Sequence, residues 1–181
     1  DAGAIFLIPK ASPGLNIDNR LNTLGFNATA ISGIGLNECR ISRFHVIGPI
    51  EYQKMLGLVR LWENLILLAC CNGLMTAAYE EARQHAKTHK SGGKPVIAYQ
   101  EVGFKLSEML TQLQTSQLLA ARTAWSVETG SSEAESLMWC AKVFCAEAAE
   151  KVTGNALQIL SGTGYVSGNA SERAYRCAKF C

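Results

Sequence analysis

The run Val102-Gly103-Phe104-Lys105-Leu106-Ser107-Glu108-Met109-Leu110-Thr111-Gln112-Leu113 places apolar residues at 102, 106, 109 and 113, in steps of four, three and four. At 3.6 residues per turn these steps return to one side of a helix, so the four side chains form a stripe that must be buried against another element. Leu137, Ala141, Phe144 and Ala148 repeat the steps. Two such stripes imply helices packed on helices. No proline interrupts the chain between Pro49 and Pro95, and none follows, so long helices are permitted from about Glu51 onward. Gly92-Gly93-Lys94-Pro95 is expected to stop the first helix and restart the second, because glycine tolerates a left-handed cap and proline suits a first turn. Gly130 should end the second helix. Ser132 with Glu135 offers a capping box for the third, and Ser161 to Gly168 should break it before a short last helix from about Ser171. The expected fold is mainly α, an antiparallel four-helix bundle over residues 50–181.

Residues 1–49 follow a different pattern. Pro9, Pro13-Gly14, Gly25, Gly33, Gly35 and Gly48-Pro49 punctuate short apolar stretches such as Ile5-Phe6-Leu7-Ile8, the pattern of strands and turns. So few strands cannot bury a face by themselves. This segment is expected to be the remnant of an antiparallel β-domain whose beginning is absent, and the lack of both an initiator Met and a polar tail suggests a piece of a longer protein.

Composition narrows the class. Of 181 residues, 48% are hydrophobic and only 18% charged, below the usual quarter, so a partner subunit or a missing segment is expected to cover part of the surface. With 17 basic against 15 acidic residues, net charge +2, and no basic run, a nucleic-acid partner is not expected. The seven cysteines show no Cys-x-x-Cys spacing and read as free thiols of a reducing compartment, the cytoplasm or an organelle matrix. The sequons at Asn27 and Asn169 are short enough to arise by chance. The apolar run from Leu65 to Ala78 contains Asn72, Gly73 and Thr76 and falls short of the ~20 residues a span needs, so it reads as a core helix.

Four places carry possible chemistry. Lys90-Ser91-Gly92-Gly93-Lys94 sets two glycines between two lysines, either a turn with solvated lysines or a loop whose N–H groups and ammonium charges converge on a phosphate. It is not a Walker loop, because Pro95 stands where the magnesium-binding hydroxyl belongs. Ser161-Gly162-Thr163-Gly164-Tyr165 lacks the Gly-x-Gly-x-x-Gly spacing and follows a helix, so a Rossmann reading fails. His85 and His89 share a helix face, but nothing nearby completes a metal site and none is expected. Glu63 lies between Trp62 and the run Leu65-Ile66-Leu67-Leu68-Ala69. It is either one more carboxylate facing water or a desolvated one with a raised pKa, a candidate general base for an acidic C–H.

In order along the chain, these features resemble the acyl-CoA dehydrogenase family. Phe6-Leu7-Ile8-Pro9-Lys10 with Pro13-Gly14-Leu15, then Leu24-Gly25 and Glu38-Cys39-Arg40 up to Gly48, are similar to that family's middle β-domain. Lys94-Pro95 through Tyr99-Gln100 with Lys105-Leu106 resembles the stretch after its first long C-terminal helix. Gln158 to Tyr165, followed by Glu172-Arg173-Ala174-Tyr175-Arg176 and Ala178-Lys179, resembles its most diagnostic segment.

The resemblance implies a C-terminal helical domain with part of the middle β-domain, FAD as cofactor, and α,β-desaturation of an acyl-CoA, with an electron-transfer flavoprotein or similar acceptor. It implies a homodimer or tetramer packed through the helices. One lineage of the family carries its catalytic Glu on the first long C-terminal helix, the position of Glu63. Flavin contacts, made partly to the neighbouring subunit, map onto His89, Lys90, Ser91, Tyr99 and Gln100, and onto Gln158, Ile159, Leu160, Ser161 and Gly162. The chain departs from the family at His89, where Arg is usual, at Gly92, where Phe is usual, at Asn64 after the catalytic position, and at Ser161 in place of a glycine. These departures leave open an alternative, a non-catalytic helical assembly subunit or the partner of a flavin-binding subunit in a heteromer.

Overall fold

In the computed structural model, residues 2–181 are described; Asp1, with which the expected β-segment begins, lies outside them. The chain divides into a compact unit up to Arg60 and another from Leu61 to Cys181.

The first unit holds β1 (Ala2–Phe6), β2 (Leu15–Ile17), β3 (Ile34–Leu36) and β4 (Val46–Glu51). β1 pairs antiparallel with β4, with an irregularity between Gly3 and Ile5, and β2 pairs antiparallel with β3. These are two separate two-stranded ribbons. No residue among those described before Asn64 is buried. Ribbons without a buried face lack the hydrophobic stabilisation a sheet needs.

α1 (Tyr52–Thr88) begins where β4 ends and runs without a break into the second unit. α2 (Gln100–Glu128), α3 (Ala134–Leu160), the single turn α4 (Gly162–Tyr165) and α5 (Ala170–Ala178) follow. The protein is mainly α, with α5 as the short fourth helix of the bundle. α2 and α3 run antiparallel: Arg122 faces Glu133, Ser116 faces Cys145 and Glu108 faces Lys151.

The core follows the sequence stripes with two refinements. Leu106, Met109 and Leu113 of α2 are buried, whereas Val102 is half-buried at the margin. On α3 the buried row is Met138, Ala141, Cys145, Ala148, Val152 and Ala156, with Leu137 and Phe144 half-buried beside it. α1 contributes Leu68, Cys71, Met75, Ala78, Ala82 and Ala86, steps of three and four that end in three alanines, whose small side chains let neighbouring helices approach closely. α2 extends its buried side with Ser116, Thr123 and Ser126. Thr123 Oγ1 donates back to Leu119 O, and Ser116 Oγ donates to Asn72 Oδ1 at 2.7 Å while lying 3.0 Å from Cys145 Sγ.

Three sequence expectations need correction. The glycines at 92 and 93 do not cap the first helix, which ends at Thr88. They form the turn of a small hairpin, β5 (Lys90–Ser91) against β6 (Lys94–Pro95), with φ of +58° and +82°; two successive left-handed residues are the demand of such a turn. Pro95 accordingly sits in β6, ahead of a 3-10 turn at Val96–Ala98, and α2 starts at Gln100. The Ser132 capping box does not form. α3 starts at Ala134, and Ser131 Oγ accepts from Glu133 N at 3.3 Å, because Ser132 stands one residue outside the capping position. The run Leu65 to Ala78 also understates α1, which at 37 residues is long and apolar enough to cross a membrane by length and composition. Its buried row accounts for part of that character, and an exposed apolar face accounts for the rest.

Candidate functional site

Glu63 lies on α1 one residue before the buried Asn64, and it is exposed. Of the two settings its neighbours in sequence allow, the structure shows the water-facing one among the described residues. The reason is angular: the five residues from Leu65 to Ala69 span more than a full turn, so only Leu68 enters the core, and Ile66, one turn beyond Glu63, is 62% exposed. Trp62 is likewise 61% exposed. Glu63 thus stands beside an apolar surface that nothing in this unit covers.

At the other end of α1, several of the residues assigned to cofactor binding converge. The hairpin after Thr88 is anchored by Val96 N, which donates to His89 O at 2.9 Å. Tyr99 Oη donates to Ser91 O at 2.9 Å and ties the start of α2 to the hairpin. Lys94 Nζ lies 4.3 Å from the centre of the Tyr99 ring, a cation–π contact. Ser91, Val96, Tyr99 and Val102 then line an open cleft of about 460 Å³ with Gln158 and Ile159 from the end of α3. Lys105 and Glu101 complete the cleft, paired at 2.6 Å. The lining offers apolar side chains beside hydroxyl, amide and ammonium groups, the mixture suited to one part of a nucleotide-like cofactor.

Four of the ten assigned residues, Ser91, Tyr99, Gln158 and Ile159, meet in this cleft. His89, Lys90, Gln100, Ser161 and Gly162 are exposed around the same end of the bundle but do not line it. Leu160 is buried in the core, so its backbone alone is available to a ligand. Ser161 takes φ +54°, the left-handed conformation that ends α3, and Gly164 is packed so closely that a Cβ there would lie 2.6 Å from Leu157 O. Lys90 and Lys94 do not converge as a phosphate-binding pair, since Lys94 turns onto Tyr99. The sequence reading did not assign Glu101 and Lys105 to the site; their i, i+4 spacing of opposite charges was the available signal.

His85 and His89 stack, ring centres 4.6 Å apart. Burial first, and the neighbouring His89 second, hold the His85 pKa below the ordinary imidazole value. Among the described residues, no group of three or more His, Cys, Asp or Glu side chains is placed to hold a metal ion.

Glu63 and the cleft lie far apart along α1. Twenty-five residues of continuous helix separate Glu63 from Thr88, roughly 37 Å at 1.5 Å per residue.

The family model for the acyl-CoA dehydrogenase C-terminal domain matches residues 61–181, the same span as the second compact unit. The chain belongs to the acyl-CoA dehydrogenase family. It is 30% identical over 176 residues to the mitochondrial short-chain specific acyl-CoA dehydrogenase of Mus musculus, covering 96% of this chain and 42% of that protein. Among solved structures it superposes on butyryl-CoA dehydrogenase of Megasphaera elsdenii with a TM-score of 0.88 at 22% identity, over 97% of this chain and 46% of that one. The acyl-CoA dehydrogenase of Geobacillus kaustophilus gives 0.86 at 21%, over 94% and 45%. The fold of this family therefore extends through both units, and the chain spans less than half the length of the relatives it matches.

Proposed function

We propose that the chain is the C-terminal portion of a flavin-dependent acyl-CoA dehydrogenase, in which Glu63 takes the α-proton of an acyl thioester. FAD, when bound, supplies the acceptor for the β-hydrogen that leaves as hydride. The observation that carries the reading is the family match over residues 61–181, which includes Glu63 on α1 and the cleft at the far end of that helix. Glu63 is suited to the task once Trp62 and Ile66 are covered, because a carboxylate held against apolar surface and cut off from water becomes a stronger base. Ser91, Tyr99, Gln158 and Lys105 would hold part of the cofactor through a hydroxyl, an aromatic face, an amide and a cation. The roughly 37 Å between Glu63 and this cleft supports an assembly in which each chain gives its base to one site and its cleft to the site of a neighbour.

The experiment is a visible absorption spectrum of the chain, and of a form extended at both ends, with added FAD and a series of acyl-CoAs. Flavin that bleaches on acyl-CoA addition supports the reading. Glu63→Gln should then keep the flavin band while losing exchange of the acyl α-proton with solvent.

One observation favours a second reading, an assembly subunit whose partner binds flavin. Gly92 takes a left-handed φ of +58° and an added Cβ would stand 2.8 Å from Tyr99 Oη, so the aromatic ring usual there would strain this turn and displace the Tyr99 hydroxyl. A colourless extended protein that binds FAD no better than an unrelated helical protein would decide for that reading.

A further inference from the structure

From Lys87 to Lys105 the chain has no buried residue, although it forms the end of α1, the β5–β6 hairpin and the start of α2. Three contacts tie the hairpin to α1 through His89. His89 N donates to His85 O at 2.8 Å, and His89 O accepts from Val96 N at 2.9 Å. The His85 and His89 rings stack, their centres 4.6 Å apart and their planes 16° from parallel. A segment with exposed hydrogen bonds and no buried side chain is where a fold opens first, so the state of this stack bears directly on the hairpin.

The stack holds a polar atom that cannot accommodate a proton. His85 Nε2 is buried and has no hydrogen-bond partner among the described residues. A neutral imidazole can keep its single hydrogen on Nδ1 and leave Nε2 bare, whereas a protonated one must carry N–H on both nitrogens. The charged ring would then bury a donor without an acceptor, at a cost in free energy. A second proton, on His89, would set two cations face to face. The groups whose charge acts here are His89 in the stack, Glu81 one turn earlier on α1 and, beyond Glu81, Arg173 of α5. Glu81 and the C-terminal end of the helix favour a cation, but the Glu81 oxygens are engaged by Ser171 and Ala170. Burial, with His89, prevails and holds His85 below its ordinary pKa.

We propose that the His85–His89 stack is an acid-sensitive latch: uncharged, the rings close the last turn of α1 onto the β5–β6 hairpin, and a proton on His85 turns that ring out to water, parts the stack and releases the hairpin. Ser91 and Val96, which line the cleft at this end of the bundle, move with the hairpin, so acid opens the cleft. The closed state holds the His85 proton less tightly than the open one. Closure is therefore at full strength above the ordinary imidazole value of 6.5 and weakens as pH falls below it. The latch acts on the shape of the cleft whatever fills it, so it stands or falls separately from the flavin reading.

The test is NMR of the whole chain from about pH 8 to about pH 5, the range in which histidine changes charge. It follows the imidazole signals of His45, His85 and His89 and the hydrogen exchange of the Val96 amide, corrected for the intrinsic pH dependence of exchange. Protection of Val96 N–H should fall in acid by up to about tenfold per pH unit, the limit for one proton, in step with the titration of His85 and not of His45. The amide of Val152, in the core of α3, should stay protected throughout. His85→Phe keeps a ring to stack and takes no proton, so its Val96 protection should not change with pH. Protection that is constant in the parent, that falls equally in His85→Phe, or that is lost together with Val152 overturns the proposal. If His85→Phe does not fold, the parent alone decides. Coincidence of the His85 titration with the loss of Val96 protection supports the latch, and a His85 that titrates while Val96 stays protected overturns it.

Discussion

Glu81 Oε2 accepts hydrogen bonds from both the backbone N–H of Ser171, at 2.6 Å, and its hydroxyl, at 2.7 Å, across 90 residues of chain. Glu81 Oε1 accepts from Ala170 N at 3.3 Å, and the Asn169 side chain takes the next amide, that of Glu172. The first amides of α5, which no helical carbonyl can satisfy, are thus held by a carboxylate on α1 and by a local cap. A negative charge at this end also suits the helix dipole.

Glu81→Ala should lower stability by about 1–2 kcal/mol, the range for loss of a good N-terminal cap, read as a shift of the urea midpoint. The pH dependence has a definite sign. Burial pulls the Glu81 pKa up, but the hydrogen bonds from Ser171 and Ala170, with Arg173 nearby, outweigh it and leave the folded value below 4.5. Its contribution is therefore complete above the unfolded value and is lost as pH falls through the folded one. Glu81→Gln should be less stable than the parent at neutral pH, with the difference shrinking toward acid.

Two buried hydroxyls on α2 should respond in opposite ways. Ser116 is fully buried and donates to Asn72, so Ser116→Ala strands an acceptor and should cost about 1–2 kcal/mol, with coupling to Asn72→Ala in a double-mutant cycle. Ser126 is also fully buried, but its hydroxyl has no hydrogen-bond partner among the described residues. Ser126→Ala should be neutral or stabilising. Denaturant melts of the four variants suffice.

Much of this architecture is legible in the sequence because burial repeats at the helical period. Leu106, Met109 and Leu113 are large and apolar, and nothing but a buried face explains their spacing. Ala78, Ala82 and Ala86 of α1 are equally buried, yet alanine is common on either face of a helix, so their row carries no comparable signal. Gly92-Gly93 is ambiguous for another reason. Left-handed residues end helices and also turn hairpins, and what decides here is Tyr99, eight residues from Ser91, reaching back to its carbonyl. The setting of Glu63 depends on angle around the helix and on what covers α1, so its apolar neighbours in sequence could not establish it. The cleft is only partly legible, since Gln158 and Ser91 meet through the packing of α3 on the start of α2.

The hairpin gives a third prediction. Gly92→Ala places a side chain at φ +58°, and its Cβ would stand 2.8 Å from Tyr99 Oη. The left-handed conformation alone costs about 1–2 kcal/mol, and displacement of the phenol adds the loss of its bond to Ser91 O. Tyr99→Phe loses that exposed bond, about 0.5 kcal/mol, and removes the clashing atom. The penalty of Gly92→Ala should therefore be smaller in the Tyr99→Phe background, a sign that thermal or denaturant unfolding of the four-member cycle reads directly.

The length of α1 makes the fourth prediction. If each protomer gives Glu63 to one site and its cleft to a neighbour's, two defective variants should rescue one another. A Glu63→Gln protomer has a sound cleft, and a protomer with Gln158→Ala and Tyr99→Ala has a sound base. In a two-fold hybrid, one site combines both defects and the other combines both sound parts. Co-refolding equal amounts of the two, in the extended form, should restore roughly a quarter of the parent dehydrogenase activity, the share expected for random pairing in a symmetric dimer. If base and cleft served the same site of one chain, every hybrid would remain as inactive as its parents. The roughly 37 Å of unbroken helix from Glu63 to Thr88 is the physical reason to expect rescue.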